Sequence, residues 1–556
     1  MYGQKISNQK HWFLVALVGL IVVIIGAYLL TTRLMDSAQS YRSPLANKPP
    51  VPGQSLGEPI THRVVILLID ALRLDTSTNS TVMPTLDLLR SQGASATMHS
   101  QPPSFSAPAW TTILTGAWPD INDSQPFNPP DEYSARPFTQ DDIFAAAQRA
   151  GLNTAVSGYL WFEKMLSNSG VDAGFYTPGE ENSADIEVIN AAIPWLVEEY
   201  QLVLIHLDQV DFAGHEQGGP QDPDWNAAAS RVDVMIKEVV SHLDLAQDTV
   251  LVISDHGQID RGGHGGPEAI TLIEPFVLAG AGVVPGNFSD VNMVDIAPTL
   301  AVLLGTSIPA SNQGHPLLDM LYASPEQVSA LHEAIDLQQS HLFSSYTSAI
   351  GSTSSIGSGE LVSATQSALV QARLIRMAKE RIWRNVFAAF LAILPAYIIY
   401  LRKDRKILWV LAGALTNILL FNLRYSVIDG RTYSLASVEG ATWLITYTAT
   451  TAAITGILGW LIPMFTLNAL HGSPRKSVET VLAYIWLTIY LLSLPILLSF
   501  AINGFTVTWT LPEFYSMYIG LLSLIQSMII AFIGLVLAGI MTLITWFNHR
   551  RTLRIQ

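Results

Sequence analysis

Cysteine is absent from the 556-residue sequence, so the chain has no disulfide, no thiolate metal ligand and no cysteine nucleophile. Charged residues are also scarce: they make up 13% of the chain, against about 25% in a typical soluble domain. Apolar residues reach 49%. This composition excludes an intrinsically disordered chain and argues against a wholly soluble protein. We therefore expect part of the chain to lie in lipid.

Lysine and arginine are especially scarce in residues 61–330, which hold 34 acidic and only 9 basic residues and carry a formal net charge of −25. The rest of the chain has a net charge of +10, which gives the total of −15. An acidic domain lacks the Lys and Arg side chains that contact phosphates in nucleic acids. We therefore expect no nucleic-acid partner.

Six apolar runs predict membrane spans. The first, residues 12–31, is uncharged and about as long as a bilayer is thick. We interpret residues 1–33 as an uncleaved anchor rather than a signal peptide, because the run is long and no clear small-residue cleavage site follows it. A five-span bundle is predicted within residues 385–556, with spans at 385–401, 407–423, 441–466, 481–502 and 517–547. No acid or base lies mid-membrane, which favours an anchor or lipid-access platform over a pump.

Basic clusters between and beyond the spans predict the orientation. They are Arg402, Lys403, Arg405 and Lys406, then Arg475 and Lys476, and finally Arg550, Arg551 and Arg554. The positive-inside rule puts these clusters and both termini in the cytoplasm, and the domain after the first span on the extracytoplasmic or lumenal side. Five bases in residues 373–384 fall on the outer side. They indicate either a solvated amphipathic helix or a helix that contacts anionic lipid headgroups.

The remaining segments predict one enzyme-sized domain between two connectors. Residues 34–60 are a Pro-rich linker, 61–325 the domain, and 326–384 a helical connector. The apolar runs 64–70, 202–207 and 249–254 indicate buried strands, and helical patterns at 84–92 and 141–150 lie between them. This alternation predicts an α/β domain with a parallel sheet covered by helices on both faces. Such sheets bind ligands at the carboxyl ends of their strands.

Acidic and histidine residues follow three of these strands. The first strand ends in Asp70, the second runs into Asp208 and Asp211, and the third ends in Asp255 and His256. His215 lies four residues after Asp211, and His264 lies between glycines in GGHGG. One Asp after a strand is most often a helix cap, but three such groups favour a metal site. Carboxylate and imidazole ligands suit zinc and, less specifically, manganese or magnesium, and six ligands suit two ions.

A nucleophile is expected in residues 101–119, which are rich in hydroxyl groups. The candidates are Ser104, Ser106, Thr111, Thr112 and Thr115. Ser106 precedes a helix-like stretch that begins around Pro108, and a hydroxyl at a helix start has backbone N–H groups beside it that favour an anionic ester. For any single serine here a capping or turn role is the better reading, so its position relative to the metal ligands must decide.

The order of these motifs resembles the alkaline phosphatase superfamily, and within it the type I phosphodiesterase/nucleotide pyrophosphatase branch. It is most similar to the membrane-bound GPI ethanolamine phosphate transferases. The shared segments are IDALRLD (69–75), HLDQVDFAGHEQGGP (206–220) and SDHGQIDRGGHGG (254–266), within a likeness that covers roughly 61–310. In that family the nucleophile lies ten residues before the Gly of a TG pair, with Pro two residues after it. Gly116 and Pro108 then select Ser106.

The resemblance implies two divalent metal ions, zinc or else manganese. One would be held by Asp70, Ser106, Asp255 and His256, and the other by Asp211, His215 and His264. It further implies attack of Ser106 on a phosphodiester, for which a phospholipid or glycolipid headgroup is the expected substrate beside a membrane. Two departures leave hydrolase and transferase both open: Ser stands where close relatives mostly carry Thr, and the spans are fewer.

Three alternatives accompany this expectation. A sulfatase of the same fold needs an Arg two residues after Pro108, where this sequence has Trp110. A phosphomonoesterase would be favoured by an Arg over the phosphate. A catalytically inactive membrane scaffold would be favoured by lost ligands, yet all the ligand types are present.

Overall fold

The computed structural model describes the backbone of residues 2–467 and 474–555, without the side chains of 2–12, 402, 474–475 and 545–555. Several bases used to predict the orientation therefore lie outside the described side chains: Arg402, Arg475, Arg550, Arg551 and Arg554. The chain forms two compact units. The sheet unit is Gln39–Ala378 with Thr508–Leu511, and the helical unit is Met1–Ala38, Lys379–Val507 and Pro512–Gln556.

The chain begins with helix α1 (Tyr2–Gln39) and then enters the nine-stranded sheet of the sheet unit. The strands are β1 (Arg63–Ile69), β2 (Ala94–His99), β3 (Thr154–Tyr159), β4 (Ala173–Thr177), β5 (Leu202–Leu207), β6 (Asp248–Ser254), β7 (Ile273–Gly280), β8 (Gly286–Asn287) and β9 (Val291–Asn292). Their order is β4-β3-β5-β1-β6-β7-β2-β8, and β9 pairs with β2.

The sheet is mixed rather than wholly parallel. The five strands from β4 to β6 run parallel, but β7 runs antiparallel to both β6 and β2. The reason lies in the connection: a parallel neighbour needs a crossover of a dozen or more residues that is usually helical. The segment between β6 and β7 contains only one short 3₁₀ turn, Ala269–Thr271.

Helices of the sheet unit cover both faces of the sheet, as predicted for an α/β domain. They are α2 (Leu74–Ser77), α3 (Pro84–Gln92), α4 (Ser106–Thr115), α5 (Pro119–Asn122), α6 (Ile143–Arg149), α7 (Trp161–Met165), α8 (Asn182–Val197), α9 (Gln209–Glu216), α10 (Pro223–Ser241), α11 (Ile296–Leu304) and α12 (Pro325–Ile350). Alternate residues of β1 enter two separate cores: Val64, Ile66 and Leu68 pack with α4, α6 and α11, while the odd-numbered residues pack with α3, α8 and α10.

Among the described residues, six helices are long and apolar enough to cross a membrane, in agreement with the six predicted spans. After α1 they are α13 (Leu361–Arg402), α14 (Lys406–Asn422), α15 (Ala441–Thr466), α16 (Pro474–Asn503) and α17 (Phe514–Ile555). A π-helical stretch, Leu423–Ile428, continues α14. Helix α13 begins well before residue 385, so the predicted connector and the second span share one helix.

Two polar contacts join neighbouring helices inside the helical unit. Thr455 donates to Asn417 Oδ1 at 2.8 Å, and the Tyr484 hydroxyl donates to the Gly456 carbonyl at 2.7 Å. Gly413 and Gly459 allow their backbones to come close, since a Cβ on either would lie 2.5 Å from the other's carbonyl oxygen. Small residues and such hydrogen bonds are how membrane helices associate. These polar groups therefore have a structural role.

The bases of residues 373–384 are largely engaged within the protein. In the sheet unit Arg373 ion-pairs with Asp120, and the Arg376 guanidinium lies 4.1 Å from the centre of the Trp509 ring. In the helical unit Arg381 donates to the Ile502 carbonyl at 2.9 Å. These contacts favour a helix that packs on protein over one whose charges are held for lipid headgroups.

Helix α3 depends on a carboxylate from another helix. Its N-cap residue, Met83, offers no side-chain cap, and the Thr85 and Leu86 N–H groups instead donate to buried Asp233 of α10, at 2.9 Å each. We expect Asp233→Ala to lower the free energy of unfolding by about 1–3 kcal/mol, because two buried N–H groups lose their acceptor. Urea unfolding of the detergent-purified chain, followed by tryptophan fluorescence, measures this. Glu238→Ala, on the exposed face of α10, is the control, and an equal loss in both variants would contradict the capping role.

Candidate metal centre

The strand order brings the predicted site together at one edge of the sheet. Strands β5, β1 and β6 are adjacent and parallel, so their carboxyl ends coincide. Asp208, Asp70 and Asp255 directly follow these three strands, and each is at most 8% exposed. Three buried carboxyl groups therefore converge because of the register.

One group of metal-ligand type contains Asp70, Asp255 and His256, whose ligand atoms lie within 4.8 Å of one another. The His256 Nε2 atom is 3.4 Å from Asp70 Oδ1 and 3.6 Å from Asp255 Oδ2. Ser106 joins this group, with its Oγ 3.3 Å from His256 Nε2. Ser106 is also the first residue of α4, so its hydroxyl lies at a helix N-terminus, as its sequence context suggested.

The second group contains Asp211, His215 and His264. Asp211 and His215 lie one turn apart on α9, and His264 comes from the loop after β6. The two Nε2 atoms of His264 and His215 are 3.0 Å apart, and Asp211 Oδ1 is 3.8 Å from His264 Nε2. The rings of His264 and His256 stack at 3.9 Å, so the two groups are neighbours. The structure thus brings all seven predicted site residues together.

The protonation of two histidines fits a bound cation. His264 Nδ1 lies 2.9 Å from the Ser104 carbonyl, and His256 Nδ1 lies 3.2 Å from the Gly257 carbonyl. Because a carbonyl only accepts, each Nδ1 carries a proton and each Nε2 presents a lone pair. Burial lowers the pKa of His256 to about 4 and that of His264 to about 3, so both rings are neutral.

The buried carboxyl groups also suit a bound cation. Asp70 Oδ1 is buried without a hydrogen-bond partner. Burial, followed by the charge of Asp255, raises the pKa of Asp70 well above its ordinary value. Imidazole lone pairs and carboxylate oxygens that face one another are the donor set that binds a divalent cation, and such a cation would take the place of the proton that burial favours on Asp70. The residues present therefore fit two divalent metal ions.

Further side chains orient the ligands. Trp110 Nε1 donates to Asp255 Oδ2 at 2.8 Å, and the Ala71 N–H donates to Asp255 Oδ1 at 3.1 Å. Ala71 has φ 58°, a left-handed conformation that non-glycine residues rarely adopt and that occurs at functional sites. Gln258 donates to Asp211, and Gly214 leaves the space for it, since a Cβ there would lie 1.8 Å from Gln258 Oε1.

His206 was not predicted as a site residue. Its Nε2 lies 3.0 Å from Asp70 Oδ2, and with Asp70 and Asp208 it forms a third group of metal-ligand type. When Asp70 is ionised, its Oδ2 can only accept, so His206 Nε2 then carries the proton and has no lone pair for a metal. His206 therefore orients Asp70 and leaves Oδ1 for the cation. The only hint of this role in the sequence is that His206 is the one polar residue in the otherwise apolar strand LVLIHL.

Part of the chain is similar in sequence to known proteins. Residues 64–264 match the family model described as type I phosphodiesterase / nucleotide pyrophosphatase. The catalytic subunit of mouse (Mus musculus) GPI ethanolamine phosphate transferase 3 is 26% identical over 357 residues, which cover 56% of this chain and 32% of that protein. The human (Homo sapiens) GPI ethanolamine phosphate transferase 2 catalytic subunit is 25% identical over 346 residues. That match covers 57% of this chain and 34% of the human protein. The chain thus spans about a third of the length of these relatives.

Among solved structures, human ectonucleotide pyrophosphatase / phosphodiesterase 5 is similar to part of this chain, at a TM-score of 0.40 and 14% identity. The match covers 47% of this chain and 100% of that one. Wild-type alkaline phosphatase PafA matches at a TM-score of 0.37 and 11% identity. The match covers 48% of this chain and 99% of the PafA chain.

The hydrogen bond from Gln258 yields a test of the second group. We expect Gln258→Ala to weaken metal binding at Asp211, His215 and His264 by about 10–100-fold, because ligands that lose an orienting partner bind metal less well. Chelator titration with zinc readout on the purified chain measures this. Binding at the first group should persist.

Gln221→Ala is the matched control, since the Gln221 amide donates to exposed Asp260 and to none of the seven residues. Unchanged zinc affinity in Gln258→Ala would show that this hydrogen bond does not support the site.

Proposed function

We propose that this chain is a membrane-bound, metal-dependent phosphoryl-transfer enzyme that attacks a phosphodiester through Ser106. The observation that carries the proposal is the position of the Ser106 hydroxyl, at the start of α4 and 3.3 Å from His256 Nε2, beside two adjoining groups of metal ligands. The match of residues 64–264 to a phosphodiesterase family supports the same reaction class.

Two ions, zinc or alternatively manganese, would be held as the family resemblance implies: Asp70, Ser106, Asp255 and His256 for one, and Asp211, His215 and His264 for the other. Bound there, divalent cations lower the pKa of a hydroxyl nucleophile and offset the charge of the phosphate.

Ser106 then forms a bond from Oγ to phosphorus, while the bond from phosphorus to the leaving alcohol oxygen breaks. The product is a phosphoseryl ester, which water or an acceptor hydroxyl cleaves in a second displacement. Asn128 holds the nucleophile in place: its Oδ1 accepts from the Ala107 N–H at 3.1 Å and its Nδ2 lies 3.5 Å from Ser106 Oγ. That amide can also donate to a phosphate oxygen.

The proposed substrate is a phospholipid or glycolipid headgroup, in a phosphoethanolamine-type transfer or hydrolysis. Six candidate membrane helices keep the chain in a bilayer, and the relatives are named as GPI ethanolamine phosphate transferases. A diester carries less charge than a monoester, which suits a domain with few bases.

The alternatives are less well supported. Trp110, at the position where a sulfatase carries Arg, donates to Asp255 and so has a different role. Arg73 is buried but ion-pairs with Asp75 and Asp260, which engages the guanidinium that a monoesterase would direct at phosphate. An inactive scaffold would not need a complete ligand set.

Replacement of the nucleophile tests the proposal. We expect Ser106→Ala to lower turnover of a chromogenic phosphodiester at least about 1,000-fold, since the covalent step needs the hydroxyl. Zinc-loaded, detergent-purified protein is assayed against the diester, the matched monoester and the matched sulfate ester.

Ser106→Thr is the control, because it keeps a hydroxyl and should retain part of the activity. Full diester turnover in Ser106→Ala would refute the nucleophile, and a preference for the monoester or sulfate ester would refute the diesterase reaction.

We further propose that the sheet unit lies on the extracytoplasmic or lumenal side, with both termini in the cytoplasm. The basic clusters after the second, fourth and sixth spans support this orientation.

The absence of cysteine makes a clean labelling test available. In sealed right-side-out vesicles we expect Ser358→Cys, exposed before α13, to react with a membrane-impermeant maleimide. Lys403→Cys, between α13 and α14, should react only after permeabilisation. The reverse labelling pattern would show that the chain has the opposite orientation.

A further inference from the structure

Two arginines lie beside aromatic rings in the helical unit, where α14 gives way to α15. Helix α14 continues as the π-helical stretch Leu423–Ile428, which contains Arg424. Arg431 follows in the loop to α15, and Trp443 and Tyr447 lie in the first two turns of α15. Because both apolar helices end here, these side chains lie at the level where lipid headgroups meet the hydrocarbon core. π-Helical turns within longer helices are frequent at functional sites.

The aromatic rings hold both guanidinium groups. Arg431 Cζ lies 3.9 Å from the centre of the Trp443 ring and 5.5 Å from that of the Tyr447 ring. Arg424 Cζ lies 5.0 Å from the centre of the same Tyr447 ring. A guanidinium that stacks on a ring keeps the N–H groups at its edge available to an anion. Two cations are therefore fixed beside one ring.

Arg431 is buried and mostly engaged within the protein. Its Nη1 donates to the Ser437 carbonyl at 2.8 Å, and its Nη2 donates to Glu439 Oε1 at 2.6 Å. Its side chain is only 10% exposed, and its Nε is buried without a hydrogen-bond partner. Protein hydrogen bonds therefore do not fully satisfy the positive charge of Arg431.

Arg424 has hydrogen-bond donors to spare. Its Nε lies 3.6 Å from Asp429 Oδ2, too far for a hydrogen bond, and that oxygen accepts from the Tyr447 hydroxyl at 2.5 Å. The Arg424 side chain is 39% exposed, and in the part of the chain that the structure describes its guanidinium makes no hydrogen bond. The two Nη groups of an arginine match the oxygens of a phosphate in a bidentate pair. Arg424 is therefore positioned to bind one.

The side chains that surround Arg424 are apolar and exposed. Val427 and Ile428, three and four residues further along the helix, are 71% and 70% exposed. Residues at these spacings are neighbours on a helix surface. A soluble anion would cover none of this apolar surface, whereas acyl chains would cover it. An anionic group that carries hydrocarbon chains therefore satisfies both features.

We refer to Arg424, Arg431, Trp443 and Tyr447 as the arginine site. We propose that the arginine site binds the phosphate of a phospholipid headgroup, with the acyl chains against Val427 and Ile428. This lipid is a resident of the helical unit and is not a substrate, because all seven proposed metal-site residues belong to the sheet unit. The inference therefore does not depend on the proposed phosphodiester reaction.

Replacement of Arg424 tests the site. Native mass spectrometry of the zinc-loaded, full-length protein in detergent, titrated with phosphatidylglycerol, measures the affinity of the tightest bound lipid. We expect Arg424→Gln to weaken this affinity at least about 10-fold, since a charge-assisted bidentate pair is lost. Arg424→Lys keeps the charge but not the bidentate geometry, so its affinity should fall between the two.

Arg405→Gln is the matched control. It makes the same change of charge at an exposed arginine just before α14, at the opposite end of the same helix, and should leave the affinity unchanged. Val427→Asp is a second variant whose exposed position does not endanger folding. Its carboxylate, beside Arg424, should repel the phosphate and weaken binding by at least about 10-fold. Unchanged affinity in Arg424→Gln, or an equal loss in Arg405→Gln, would overturn the arginine site.

Two competitors separate a phospholipid from its parts. Dioleoylglycerol has the acyl chains without the phosphate, and inorganic phosphate has the anion without the chains. At the concentration of phosphatidylglycerol, we expect neither to displace the bound lipid. Displacement by dioleoylglycerol would show that the phosphate is not recognised, and displacement by inorganic phosphate would show a site for the free anion. Either result would overturn the proposal of a bound phospholipid.

Discussion

Carboxylates buried at the ends of neighbouring strands repel one another unless cations lie between them. The register of β5, β1 and β6 fixes Asp208, Asp70 and Asp255 at one edge, and the Nε2 lone pairs of His256 and His264 point into the same space. The domain has few bases to offset this charge. The balance must therefore come from outside the chain, as divalent cations held between these carboxylates and the imidazoles.

The parts of this arrangement that follow from strand periodicity could be predicted from sequence. Apolar runs mark β1, β5 and β6, and the first polar residues after them are Asp70, Asp208 and Asp255, so their convergence follows from a parallel sheet. The contacts of Trp110 and Gln258 could not be predicted, because they join residues that are far apart in sequence. His206 gave only a faint signal. The antiparallel β7 was also not predicted, because its direction depends on the absence of a crossover helix.

Composition was sufficient to predict the membrane helices, but it was not sufficient to predict the contacts of the basic residues. Length and hydropathy were sufficient to find the six candidate membrane helices of the described part of the chain. The basic stretch 373–384, by contrast, left a solvated amphipathic helix and a lipid-contacting helix both open, and the structure shows Arg373, Arg376 and Arg381 in contacts within the protein. A charged pattern indicates that partners are needed, but it does not identify them.

The hydrogen bond between His264 and the Ser104 carbonyl connects a metal ligand to the backbone two residues before the nucleophile. Metal binding and the ordering of this loop are then one equilibrium, since a site assembled from separate loops converts binding energy into folding energy. A newly made chain that has not acquired its ions would keep these loops open to proteases. Metal supply in the compartment would thus set how much of the protein persists, in addition to how fast each copy works.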